Sequence, residues 1–126
     1  MSDLGGKIVW VTGAGSGIGR AAALRLAAAG ARIVLTGRRR GPLDETRAMI
    51  AATGGAADVA PADIADARAA QRAVDKTVAR HGRLDIYVGS AGYNIAVRRW
   101  SELSADQIDE ILRGNLQSAF HASLSA

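Results

Sequence analysis

Residues 12–19 read Thr12-Gly13-Ala14-Gly15-Ser16-Gly17-Ile18-Gly19. They stand between a β-branched apolar run, Ile8-Val9-Trp10-Val11-Thr12, and a segment of helical spacing over 17–29. The run reads as a buried strand. In the segment, Ile18, Ala22 and Leu26 recur at i, i+4 and i+8, with Arg20 and Arg25 off that stripe and Gly30 as the stop. Glycines at a strand-to-helix turn let the backbone bend sharply and come close to a ligand. The helix start behind them presents unpaired N–H groups and the positive end of the helix dipole. Such a turn is shaped to hold a pyrophosphate. The spacing is G-x-x-x-G-x-G, not G-x-G-x-x-G, and no Lys-Ser or Lys-Thr follows, which excludes a P-loop.

The same strand–helix alternation continues outward. Ile33-Val34-Leu35 reads as a second strand, and Gly41-Pro42 opens a helix over about 43–53. A weak third strand covers about 57–61, with Pro61 marking an edge. Asp66 can cap a helix over 67–80 with the stripe Ala70, Val74 and Val78, ended by Gly82. Leu84 to Val88 is the fourth strand, and Gly89-Ser90-Ala91-Gly92 follows it. Ser104-x-x-Gln107 forms a capping box before a last amphipathic helix whose stripe includes Asn115. An unpaired amide on such a stripe costs about 1–3 kcal/mol, so Asn115 needs a partner. This order predicts parallel βαβ units and, with right-handed crossovers, a doubly wound α/β sheet.

Composition narrows the function classes. The chain has 126 residues, no cysteine and a net charge of +4. It therefore has no disulfides, thiolate nucleophiles or cysteine metal sites, which suits a reducing cytoplasm. No apolar run reaches the length of a membrane span, and the N-terminus lacks the pattern of a signal peptide. His81 and His121 have no metal-ligand partner at useful spacing, so no metal is expected. Residues 1–53 hold eight basic and three acidic residues, whereas the remainder holds eight and nine. The positive excess thus surrounds the glycine turn. Arg38-Arg39-Arg40 and Arg98-Arg99 come with no recognition motif or aromatic platform, so nucleic acid is not the expected partner.

The end of the second strand bears on the ligand. A dinucleotide fold selective for NAD carries Asp or Glu here to hold the ribose 2′-OH. This chain has Thr36-Gly37-Arg38-Arg39-Arg40, with no carboxylate to repel a phosphate. Arginine can hold a 2′-phosphate through paired N–H bonds. The expected cofactor is NADP, with NAD as the alternative.

These residues resemble the short-chain dehydrogenase/reductase family along essentially the whole chain. Thr12-Gly13-x-x-x-Gly17-Ile18-Gly19 is similar to its cofactor loop, and Asp63-Ile64 to its adenine-contacting pair. Gly114-Asn115-Leu116 is similar to its helix asparagine, which supports a water in a proton relay. Gly89-Ser90-Ala91-Gly92 takes the place of N-N-A-G, so both side-chain amides that steady the central sheet are missing.

The resemblance implies a Rossmann-type sheet in strand order 3-2-1-4, truncated after about four strands. It implies one incomplete domain over 1–126 that lacks the catalytic half. It further implies cofactor contacts at Gly13, Ser16, Gly17, Ile18, Gly19, Arg38, Asp63, Ile64, Gly89, Ala91 and Gly92. Asn115 is the one implied catalytic position. The reaction implied is hydride transfer between nicotinamide and a small carbonyl or alcohol, in a full-length homo-oligomer.

The family's Tyr-x-x-x-Lys pair is absent, since Tyr87 is followed four residues on by Ala91 and Tyr93 by Val97. The chain is therefore expected to bind cofactor without turning over alone, and to expose an apolar edge at its fourth strand. The alternative is a catalytically inactive stand-alone nucleotide-binding module.

Overall fold

The computed structural model describes residues 3–90 and 104–106. Ala91, Gly92, Asn115 and all but the first turn of the last expected helix lie outside the described residues. Among the described residues seven elements alternate: β1 (Ile8–Thr12), α1 (Gly17–Ala28), β2 (Arg32–Thr36), α2 (Arg40–Ala52), β3 (Ala56–Val59), α3 (Ala67–His81) and β4 (Ile86–Gly89). The strands form one parallel sheet in the order β3-β2-β1-β4, as expected.

β1 lies inside the sheet and all five of its residues are buried. Val9 pairs with Ile33 on one side and Ile86 on the other. Alternate side chains leave the two faces of the strand. Val9 and Val11, with Ile33 and Leu35, meet Ala23 and Ala27 of α1 and Leu43 and Ile50 of α2. Ile8, Trp10 and Val34 meet Ala70, Ala73 and Val74 of α3, and Ile64. Each face of the sheet thus has its own apolar core, which is why the central strands read as continuous apolar runs.

Several expectations move by a residue or more. In α1 the buried line is Gly19, Ala23 and Ala27, not Ile18, Ala22 and Leu26. Ile18 is 82% exposed. The glycine turn sets the phase of this helix, and only its smallest residues fit against the sheet. α2 begins at Arg40 rather than 43, so Pro42 is its third residue. That position still lies in the first turn, where an N–H has no intrahelical partner. α3 buries Ala70, Ala73, Val74 and Thr77, and leaves Val78 exposed. Its start is as read: the Asp66 carboxylate accepts from the amides of Arg68 at 2.9 Å and Ala69 at 3.4 Å. β3 stops at Val59, so Pro61 follows the edge strand rather than ending it.

β4 starts at Ile86, two residues later than expected. The Asp85 carboxylate explains the delay, because it takes the Ile8 amide at 2.8 Å in place of a backbone carbonyl. The Asp85 amide in turn donates to the Ile8 carbonyl at 3.0 Å. At the other end of the strands, the Trp10 indole donates to Thr36 Oγ1 at 2.9 Å, and Thr36 donates to the Ala60 carbonyl at 2.8 Å. Both side chains are fully buried, so this chain satisfies polar groups that would otherwise cost about 1–3 kcal/mol each.

Among the described residues three carboxyls sit below the ordinary range. Burial pushes Asp58 up, but hydrogen bonds from Arg32 and His81 and the charges of Arg32 and Arg80 more than offset it. The amides of Ala69 and Arg68 lower Asp66, and the Arg83 hydrogen bond and Ile8 amide lower Asp85. Each group binds its proton more weakly in the folded chain than in the unfolded one. The stability they add is fully present above about pH 4 and is lost as pH falls through their folded values. Urea unfolding at stepped pH will show a flat midpoint from neutral down to about pH 5 and a decline below about 4. The double change Asp58→Asn and Asp85→Asn will flatten that decline.

Candidate functional site

A cleft of about 600 Å³ opens at the C-terminal ends of β1 and β2. Its walls include Gly13, Gly15, Ser16, Gly17 and Ile18 from the glycine turn, Gly37, Arg38 and Arg39 from the end of β2, and Ser90 after β4. The turn holds its shape through main-chain geometry. Gly13 and Gly17 have φ of +68° and +56°, which disfavours a side chain at either position. Gly19 has a different reason to be glycine: a Cβ there would lie 2.1 Å from the Gly13 carbonyl oxygen. The helix is thereby pulled against the turn, and its first amides face the cleft. Ser16 caps α1 in an extended conformation and makes no side-chain cap hydrogen bond, so its hydroxyl is not committed to the helix end.

The backbone ties the turn to its neighbours. The Ala14 amide donates to the Thr36 carbonyl at 3.2 Å, and the Ser90 amide to the Thr12 carbonyl at 3.2 Å. The ends of β1, β2 and β4 therefore meet at one edge, where open parallel sheets bind ligands. The donor set fits a dinucleotide: glycine turn and helix N-terminus for a diphosphate, arginines beside it for further phosphate.

Gly13, Ser16, Gly17, Ile18 and Arg38 line this cleft, and Gly19 is buried behind them. Gly89 ends β4 beside the cleft residue Ser90. Asp63 and Ile64 are not part of the same wall. Asp63 lines a separate cleft between β3 and α3, and its carboxylate accepts from the Ala65 amide at 3.0 Å. Ile64 is buried in the core beneath α3, so its side chain supports the loop from below.

Three features had little signal in the sequence. Pro42 and Leu43 line the cleft from α2, and Arg20 bonds across it. Tyr87 supplies a contact where the asparagines are missing. Its hydroxyl lies 3.3 Å from Thr12 Oγ1, and its ring stacks at a tilt on Trp10 with centroids 5.1 Å apart. A Cβ at residue 89 would come within 2.6 Å of that hydroxyl. Tyrosine at 87 and glycine at 89 thus belong together, a pairing that spacing alone does not reveal.

The sequence pattern of the family described as short chain dehydrogenase matches residues 7–126. The chain belongs to this family. It is 42% identical over 112 residues to the probable oxidoreductase EphD of Mycobacterium tuberculosis, covering 89% of this chain and 19% of that one. A short chain dehydrogenase from Burkholderia cenocepacia, solved in complex with NADP, superposes with a TM-score of 0.90 at 38% identity. That match covers 99% of this chain and 51% of the other. A metagenomic short-chain oxidoreductase, also in complex with NADP, gives 0.92 at 31% identity, covering 98% and 56%. The chain therefore spans about half the length of these structural relatives and about a fifth of EphD.

Gly19→Ala tests the turn directly. The added methyl has no room beside the Gly13 carbonyl, so the turn must shift. Thermal unfolding will show a loss of about 1–3 kcal/mol. Titration with a nicotinamide dinucleotide will show at least a tenfold loss of affinity beyond what the unfolded fraction explains.

Proposed function

We propose that this chain is the NADP-binding half of an oxidoreductase that moves hydride between a nicotinamide and a small carbonyl or alcohol. The observation that carries the cofactor choice is the wall formed by Gly37, Arg38 and Arg39 beside the glycine turn. No carboxylate occurs in residues 36–40, and the Glu45 carboxylate that lines the same cleft is paired with Arg20 at 3.2 Å. The NADP complexes among the structural relatives support the same choice.

The α1 N-terminus and the amides of the turn hold the diphosphate, as donors aimed at negative charge. Arg38 and Arg39 hold the 2′-phosphate as planar cations with paired donors. Ile18 presents an exposed apolar surface at the mouth of the cleft, where it can cover a ring and exclude water. Gly89, Ala91 and Gly92 are proposed as further cofactor contacts, the Asp63-Ile64 pair as an adenine-side contact from the neighbouring cleft and the loop above the core, and Asn115 as the support for a proton relay. Bound NADP supplies the hydride chemistry. No Tyr-x-x-x-Lys occurs in these 126 residues, so the general acid–base pair that the family resemblance implies is not among them. In its full-length form the protein is proposed to be a cytoplasmic homo-oligomer.

Fluorescence titration with NADPH and NADH tests the cofactor choice. The protein will bind NADPH at least tenfold more tightly. Arg38→Asp will remove a charge-assisted contact and add repulsion, lowering NADPH affinity by about 10- to 100-fold while leaving NADH within about threefold. Equal affinities for the two nucleotides would overturn it.

A further inference from the structure

The periodicity of α1 places Arg20 off the apolar stripe, as a surface residue. The structure turns it inward. Its Nε donates to Thr46 Oγ1 at 2.9 Å. Its Nη2 approaches the Gly15 carbonyl at 2.6 Å, the Pro42 carbonyl at 3.1 Å and Glu45 Oε2 at 3.2 Å. Two Nη2 hydrogens are therefore shared among three oxygens. Thr46 is fully buried, and its hydroxyl donates to the Ala14 carbonyl at 2.8 Å. A Cβ on Gly15 would come within 2.8 Å of Pro42 Cβ, so α2 rests directly on the turn.

One guanidinium and one hydroxyl thus join two backbone carbonyls of the glycine turn to the first two turns of α2. α2 begins immediately after Arg38 and Arg39. We infer that Arg20, acting with Thr46, is a positioning residue that sets the distance between the diphosphate turn and the 2′-phosphate arginines, and so controls the preference for NADP over NAD. This rests on the cofactor reading proposed above.

The geometry separates this role from a direct one. Although Arg20 lines the cleft, its Nε and Nη2 donors point at protein oxygens and Glu45 pairs with its guanidinium at 3.2 Å, so its main effect is to hold the turn and α2 together. A lysine would keep the charge but lose the fork that reaches α1's turn and α2 at once. A turn free to move away from α2 still offers its amides to either nucleotide. It no longer holds the arginines at the spacing that a 2′-phosphate requires, so the loss falls on NADP.

The test is a double-mutant cycle read by nucleotide fluorescence, with thermal unfolding as the control for folding. Arg20→Lys and Thr46→Val will each lower NADPH affinity by about tenfold and change NADH by no more than about threefold. Combined with Arg38→Ala, each will cost much less than the product of the single losses, because the arginine whose placement is lost is already gone. Thr46→Ser, which keeps the hydroxyl, will resemble the wild type.

Arg20→Lys at wild-type affinity, equal losses for both nucleotides, or additive losses with Arg38→Ala would each overturn the inference. If Arg20→Lys does not fold, the Thr46→Val cycle decides alone. A wild-type protein with no preference for NADPH overturns the cofactor reading, and this inference with it. A preference that survives both variants overturns this inference only.

Discussion

The carbonyl oxygen of Gly13 occupies the space where a side chain at residue 19 would begin. That exclusion fixes how α1 leaves the turn and which of its residues meet the sheet. Gly19, Ala23 and Ala27 follow as the buried line, and the helix lies close against Val9, Val11, Ile33 and Leu35. With the helix seated there, its N-terminal amides face the cleft and its flank reaches α2. The cleft wall and the packing of one whole face of the sheet therefore depend on the same contact.

The other face carries a different kind of constraint. Trp10 and Thr36 are buried polar groups whose hydrogen bonds run from β1 through β2 to the loop after β3. A chain of this kind is directional, so it sets the relative height of three strand ends as well as their spacing. The ends of β1 and β2 among them form the rim of the cleft, and the loop after β3 lines the neighbouring one. Tyr87 extends the arrangement to β4 through Thr12, and it does so with a hydroxyl and an aromatic stack where the family pattern has side-chain amides.

Local rules carried the sequence a long way. The β-branched run at Ile8–Thr12, the glycines at 13–19 and the cap at Asp66 each act within a few residues, and each appears in the structure as read. The displaced boundaries come from interactions across the chain. Nothing in a window around Leu84 shows that the Asp85 carboxylate will replace a ladder carbonyl for Ile8. Nothing near Arg20 shows that Thr46 and Pro42 will fold over it. Periodicity marked Ile18 as core because it counted hydrophobicity, whereas the turn demanded small volume. The cleft was legible in the glycines and arginines that line it, and hidden in the residues that hold them in place.

The strand order has a kinetic side as well. Trp10 meets Thr36 and Arg32 meets Asp58 across 26 residues each, while Ile8 meets Asp85 across 77. Loop closure costs more entropy over the longer span, and contacts between distant residues form more slowly. The strands β1, β2 and β3 are laid down in sequence, each beside the last, and with them the glycine turn and the two arginines. β4 must return to the far side of β1 after the chain has moved away from it. The end of the cleft that carries the glycine turn and the arginines is therefore assembled early from neighbours, and its opposite end waits for the slowest encounter in the sheet.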